Sequence, residues 1–232
     1  MHPVSNFTVG YIPTGSSNDL ARNLSIPREP LAALDLILSG GTVTPLDIGL
    51  LQYENSLQKR RFLVSCGIGF DAAVCAEAMA SPIKDTLNRI GLGKLTYLGI
   101  ALKQLLTAPR VSCDFWLDDT EAPIHLNKFF FLASMNHRYE GGGFMFCPTA
   151  DWKDEIFDIC CVGNLSKLLI LIALPTAFWG KHYLFKGVTS YRAHKIRIQT
   201  GAPLWVHTDG ETQKQSCGIC LSQEKEKLQI IS

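Results

Sequence analysis

Apolar and polar residues alternate over residues 8–13 (Thr-Val-Gly-Tyr-Ile-Pro), which predicts a short strand, and the small residues at 14–17 predict a turn. Residues 18–24 then read as a helix with Asn18 or Ser17 at its N-cap, where a short polar side chain can satisfy the first orphan amides. Residues 30–38 form a second apolar helix, stopped by Gly40 and Gly41. From Thr42 the pattern alternates like a strand, and residues 61–66 predict another strand that runs into Gly-Ile-Gly-Phe-Asp-Ala-Ala. Residues 87–106 have a helical pattern interrupted by glycines. Strands are then expected at 111–117, 128–133, 156–162, 195–199 and 204–207, with one helix from 166 to about 182 among them. The charged tail at 223–227 reads as a solvated face. A short α/β opening thus leads into a mainly β body.

Composition narrows the class. The 232 residues are 47% hydrophobic and 19% charged, enough for a packed core and too apolar for disorder. This length suits one large domain or two small ones. Lysine and arginine exceed aspartate and glutamate by 22 − 21 = 1, which argues against nucleic acid as a partner. The longest apolar run, residues 168–179, contains Pro175 and is shorter than the roughly 20 residues of a membrane span, so no transmembrane segment is expected. The first residues lack the basic cluster and apolar stretch of a signal peptide, which predicts a soluble protein. The eight cysteines are scattered and read as reduced thiols, several of them small core residues. Cys217 and Cys220 have CxxC spacing, but no second pair of ligands stands at comparable spacing.

Four constellations could carry chemistry. Gly15, Ser16, Ser17, Asn18 and Asp19 precede or open a helix, where amide and hydroxyl donors favour an anion; an ordinary capped helix has the same composition. Residues 66–72 match G-x-G-x-x-A, a dinucleotide fingerprint, although the following βαβ continuation is poor. Gly141, Gly142 and Gly143 permit close backbone approach, and Asp151 and Asp154 beyond them could offer oxygen ligands to a divalent cation. Asp209 and Glu211 flank Gly210 after a strand, a pair that could hold a metal or water and accept a proton, or simply form an Asp-Gly turn.

In this order and spacing, residues 13–22, 67–72, 141–154 and 209–211 resemble the catalytic domain of the soluble diacylglycerol kinase family, which includes bacterial lipid kinases and the sphingosine and ceramide kinases. The resemblance implies an α+β fold: a truncated NAD-kinase-like α/β nucleotide domain followed by a β-rich, sandwich-like domain. Residues 1–46 would be the remnant of the first, with 222–232 a candidate to complete it, and residues 47–221 would be the second. It implies ATP-dependent phosphorylation of a lipid hydroxyl, diacylglycerol to phosphatidic acid, with ATP and Mg²⁺ as cofactors. Glu211 matches the general base and Asp209 a metal-linked carboxylate. The residues from Gly15 to Asp19 match the nucleotide contact, with Ser16 where the family carries threonine. Asp154 matches a Mg²⁺ ligand, completed by carbonyls at Asp151 and Ile156; Glu155 stands where the family has glycine. A cytoplasmic protein acting on lipid at the membrane surface follows, with a homodimer as a further expectation. The apolar stretches at 87–106 and 168–179 offer acyl-chain or membrane contacts, or core packing.

One departure is large. The family's phosphate loop, Gly-Gly-Asp-Gly-Thr, lies upstream of the segment that opens this chain, and Gly40-Gly41-Thr42 cannot replace it. The chain as written is therefore expected to bind ATP poorly and to turn over little. Two rival readings are a non-catalytic lipid- or partner-binding remnant and a dinucleotide oxidoreductase using residues 67–72.

Overall fold

A computed structural model describes residues 7–15, 17–81 and 93–232. Ser16 and residues 82–92, the latter including part of the predicted helix 87–106, lie outside the described residues. The chain opens with β1 (Thr8–Gly10), α1 (Asp19–Leu24), α2 (Pro30–Leu38) and β2 (Val43–Leu46). Next come β3 (Gly49–Tyr53), β4 (Lys59–Phe62), β5 (Ser65–Gly69), α3 (Phe70–Ala80) and α4 (Gly93–Thr107). Then follow β6 (Val111–Leu117), β7 (Ile124–Met135), β8 (Phe157–Gly163) and α5 (Lys167–Thr176). Two 3-10 turns, Ala177–Trp179 and His182–Leu184, lead to β9 (Val188–Ala193), β10 (Lys195–Thr208), β11 (Glu211–Gln223) and β12 (Leu228–Ile231).

Nine strands form one sheet in the order β4-β3-β11-β10-β5-β7-β8-β9, with β6 sharing the lane of β5 between β10 and β7. The long strands β10 and β7 frame that lane: β10 pairs with β6 through Ile196–Thr200 and with β5 through Val206–Thr208. The sheet folds over on itself, so Phe62 from one edge stacks on Phe157 of β8 at 5.8 Å between ring centroids. One face of β8 (Phe157, Ile159, Cys161) enters this interior. The other face (Cys160, Val162) meets α4 and α5 in a second core with Phe131 and Phe146. Burial on both sides explains why this strand reads as a continuous apolar run rather than an alternating one.

A smaller sheet, β1-β12-β2, has the parallel pair β1–β12 and the antiparallel pair β12–β2. Helices α1 and α2 cover it through Ala21, Leu24, Ala33 and Leu46. The first and last segments of the chain therefore meet in one layer.

Three expectations need correction. Residues 61–66 are two strands, β4 and β5, broken at Leu63 and Val64. The predicted strands 195–199 and 204–207 are one strand with a bulge between Gln199 and Leu204. The tail at 223–227 is a clamp and not a solvated face: Glu224 pairs with Arg61 at 2.9 Å, and Lys227 reaches Asp47 at 2.9 Å and Glu155 at 3.1 Å. Asp47, 3% exposed, is the hub of this junction, since it also accepts from the Glu155 amide at 2.7 Å. A carboxylate taken out of water needs such partners, and only the fold could supply them.

Candidate functional site

Asp209 and Gly210 form the two-residue loop between β10 and β11, with φ of 51° and 81°. Both positive values define a mirror-image turn that Asp-Gly adopts at little cost. The Asp209 carboxylate turns back to the segment that joins β4 to β5: Oδ2 accepts from the Leu63 amide at 2.9 Å, and Oδ1 from Val64 at 2.8 Å and Ser65 at 3.0 Å. Those three amides are the break between β4 and β5. Asp209 thus pins the break between β4 and β5 with both oxygens, an occupation that competes with metal binding. Glu211, beyond the turn, keeps a 70% exposed side chain and pairs with Arg60 at 2.6 Å.

Beneath the turn lies a polar cluster that the sequence pattern did not single out. Nε2 of His207, fully buried, lies 3.1 Å from Asp71 and 3.5 Å from Glu140. The Ser65 hydroxyl donates to Glu140 at 2.5 Å. Gly67 is required here because a Cβ would come within 1.9 Å of Asp71 Oδ2 and 2.3 Å of His207 Nε2. The glycine of the would-be dinucleotide fingerprint therefore makes room for an ion pair. Moreover, β5 is antiparallel to both neighbours, so no βαβ unit exists around it. The available signal was a histidine two residues before Asp-Gly in a strand whose alternate positions are core.

Burial raises the Glu140 carboxyl to about 7, with Asp71 and Asp209 adding to the rise and His207 opposing it. Burial by itself would depress His207, but the carboxylates of Glu140, Asp71 and Asp209 overcome this and hold it near 9. The Gly210 amide donates to His207 Nδ1 at 3.2 Å, a bond that needs an unprotonated nitrogen and competes with the imidazolium. The pair therefore shares one proton through neutral pH. Unfolded, histidine and glutamate lose their protons near 6.5 and 4.3. The folded chain thus binds more protons from about pH 4.3, where unfolded glutamate ionises, to about pH 9, and its stability falls as pH rises through that window. The expected loss between about pH 6.5 and 9 is on the order of 2–3 kcal/mol. Thermal melts from pH 6.5 to 9.5 should show it, and the double variant Glu140→Gln/His207→Gln should lose the slope; an unchanged slope would refute the assignment.

Glu140 also leads into the glycine loop, where Gly141, Gly142 and Gly143 all have positive φ. The Gly142 amide donates to Asp19 Oδ2 at 2.8 Å, and Arg22 of α1 lies over the Tyr139 ring at 5.4 Å. A Cβ on Gly142 would sit 3.7 Å from the Ser17 hydroxyl, and one on Gly143 would strike Arg22. A hydrogen-bonded path thus runs from Asp209 through Ser65 and Glu140 to the loop that meets the bend at Gly15–Asp19. The bend differs from expectation in detail. Asn18 is the N-cap in the left-handed region with no side-chain cap bond, and its buried Oδ1 has no partner among the described residues. Helix α1 has only six residues and carries Asp19 in its first turn, so its end is not an open anion site.

The loop at 151–156 does not fit a divalent cation as it stands. Asp154 accepts from the Ile156 amide at 3.1 Å and forms an ion pair with Arg192, whose guanidinium also reaches the buried Asp158 at 3.2 Å. Asp151 accepts from the Lys153 amide at 3.2 Å. The guanidinium fills the place a metal would need on Asp154. Among the described residues there is no cluster of three or more His, Cys, Asp or Glu placed to hold a metal. Cys217 and Cys220 lie three apart on β11, where side chains alternate between faces.

The fold and this site define a class: an α/β layer joined to a β-sandwich-like body with an Asp-Gly-Glu turn at the junction. Residues 64–229 match the YegS C-terminal NAD kinase beta sandwich-like domain, and residues 2–51 match the diacylglycerol kinase catalytic domain. The chain belongs to the family of diacylglycerol kinase-like lipid kinases. It is 30% identical over 213 residues to a diacylglycerol kinase of Mycobacterium tuberculosis, covering 89% of this chain and 63% of that protein. A diacylglycerol kinase of Bacillus subtilis is 24% identical over 207 residues, covering 88% and 62%. The chain thus spans less than two thirds of the length of these relatives. A crystal structure of a diacylglycerol kinase from Bacillus anthracis superposes with a TM-score of 0.66 at 23% identity, covering 95% of this chain and 67% of that one, and shares its fold.

Proposed function

We propose that the chain acts in ATP-dependent phosphorylation of diacylglycerol to phosphatidic acid. The observation that carries this reading is the continuous path from the Asp-Gly-Glu turn through Ser65 and Glu140 to the glycine loop at Asp19 and Ser17. It links the turn that carries the exposed Glu211 to the glycine loop held by Asp19.

Each group has a stated task. The Ser17 hydroxyl and the Arg22 guanidinium are the groups left to contact the nucleotide phosphates, which displace Asp19 from the Gly142 amide. Glu211 takes the proton of the lipid hydroxyl while that oxygen bonds to the γ-phosphorus. The bond from the γ-phosphorus to the β–γ bridging oxygen breaks, and ADP leaves. Mg²⁺ belongs to the nucleotide substrate, where it offsets phosphate charge, and not to the loop at 151–156. Asp209 positions Glu211 by fixing the turn. A cleft of about 160 Å³ lined by Phe70, Ala108, Pro109 and Leu204 together with Gln104 and Thr107 is the surface we assign to the acyl chains.

The test is incubation of the longest form encoded by the reading frame with γ-labelled ATP and diacylglycerol in mixed micelles. Label in phosphatidic acid is the expected result. Hydrolysis of ATP without labelled lipid, or no transfer, would refute the reading.

A further inference from the structure

Strand β4 opens with three consecutive cations, Lys59, Arg60 and Arg61, at one edge of the large sheet. Arg61 belongs to the clamp, through Glu224 at 2.9 Å. Arg60 reaches the acidic turn instead, and its guanidinium donates to Glu211 Oε2 at 2.6 Å. Arg60 is 27% exposed and Glu211 70%, so the pair contributes little to folding. The charge around it is otherwise mostly negative. Asp71 and Glu140 lie beneath the turn with His207 between them, and Asp209 stands two residues before Glu211. Both Asp209 oxygens are taken by backbone amides, which leaves Glu211 as the carboxylate of the turn that holds the guanidinium.

This contact constrains any phosphoryl transfer that uses Glu211. A hydroxyl oxygen whose proton passes to Glu211 lies about 2.6–3.2 Å from its carboxylate. The phosphorus under attack lies about 3–3.5 Å beyond that oxygen. A guanidinium already touching the carboxylate therefore reaches the equatorial phosphoryl oxygens by turning about its terminal bonds. It has five N–H donors in a planar fork, which suits two oxygens of one phosphoryl group. The charges require such a partner as well, because a triphosphate brought beside Glu211 and Asp209 adds like charge to an acidic neighbourhood. In the free chain, moreover, the guanidinium occupies one of the oxygens that would receive the proton.

We propose that Arg60 is a further catalytic residue, which exchanges Glu211 for the phosphoryl group in transfer. The proposal rests on the kinase reading and adds a residue to it. When the nucleotide arrives, the guanidinium turns to two oxygens of the γ-phosphoryl group and releases Glu211 Oε2. The freed carboxylate takes the proton of the lipid hydroxyl while that oxygen bonds to phosphorus. The bond from phosphorus to the β–γ bridging oxygen breaks, and ADP leaves. Glu211 then gives its proton to water, and Arg60 returns to it. Release of the base is thereby coupled to arrival of the phosphoryl group. Charge on the equatorial oxygens is met by a donor that has only to rotate.

The experiment compares the longest form encoded by the reading frame with its Arg60→Gln and Arg60→Lys variants, measuring kcat, KM for ATP and the thermal melt. Arg60→Gln should lower kcat about 10²–10³-fold, as loss of one preorganised donor to a transition state does. KM for ATP should stay nearly constant, because the guanidinium is paired with Glu211 until transfer begins. The melt should not move. Arg60→Lys should recover part of the rate, since it restores the charge without the fork. Binding gives a second readout. ADP with aluminium fluoride, which stands in for the planar phosphoryl group, should bind the parent more tightly than ADP alone. Arg60→Gln should lose most of that gain. A variant with kcat within about threefold of the parent, or one that keeps the aluminium fluoride gain, overturns the proposal and leaves the kinase reading intact. So does a loss of rate matched by a lower melt and not recovered by lysine. A parent that transfers no phosphate to lipid fails the kinase reading itself and takes the proposal with it.

Discussion

On the proposed kinase reading, Glu211→Gln is expected to lower the turnover of diacylglycerol phosphorylation about 10²–10⁴-fold, the range a positioned general base supplies. The substitution keeps the shape and one acceptor oxygen but leaves no group basic enough to take the hydroxyl proton. Stability should hardly change, because the side chain is 70% exposed and its pair with Arg60 is a surface pair. The expected kinetic pattern is a fall in kcat with KM nearly constant, since the carboxylate acts in the transition state more than in binding. A variant within tenfold of the parent chain would remove Glu211 from the chemistry and leave the acidic turn with a purely structural part.

Asp209→Ala is the converse case, in which stability suffers first. Its carboxylate accepts three backbone amides across the β4–β5 break, at 2.8 to 3.0 Å. Bonds to a charged acceptor are worth more than neutral ones, and alanine leaves all three amides to be rehydrated. Alanine also adopts the left-handed conformation, φ 51°, less readily than aspartate. Together these losses amount to about 2–4 kcal/mol, or a melting temperature lower by on the order of 10 °C. Asp209→Asn should recover about half, because one oxygen and the turn preference remain. Activity should fall with both variants, since Glu211 loses its platform. A melt of Asp209→Ala within about 1 °C of the parent would show that the break is held by other contacts.

These variants separate what local pattern could reveal from what it could not. Helix α2 was legible because an apolar run interrupted only by Asp35 starts at Pro30 and stops just before Gly40 and Gly41, signals carried by neighbours in sequence. Strand β6 was legible because apolar residues recur at its buried positions, and β8 because it is a continuous, fully buried run. The division of residues 61–66 was not, because the cause is a carboxylate 145 positions away in sequence that captures the Val64 amide. The tail at 223–227 was misread for the same kind of reason, since its partners Arg61 and Asp47 come from early in the chain. At the site, Glu211, Asp209 and the glycine loop stood out as motifs, while Glu140, Asp71 and His207 did not, because what marks them is shared burial around one proton.

What the amino-acid order determined unaided was therefore the family, the acidic turn and most elements whose signals lie within a few residues. Tertiary structure decided which carboxylates are ionic partners and where a strand breaks. The physical reason is range. Backbone propensity and periodicity act over one or two turns, whereas desolvation and charge pairing depend on which distant segments are brought within about 3–4 Å of one another.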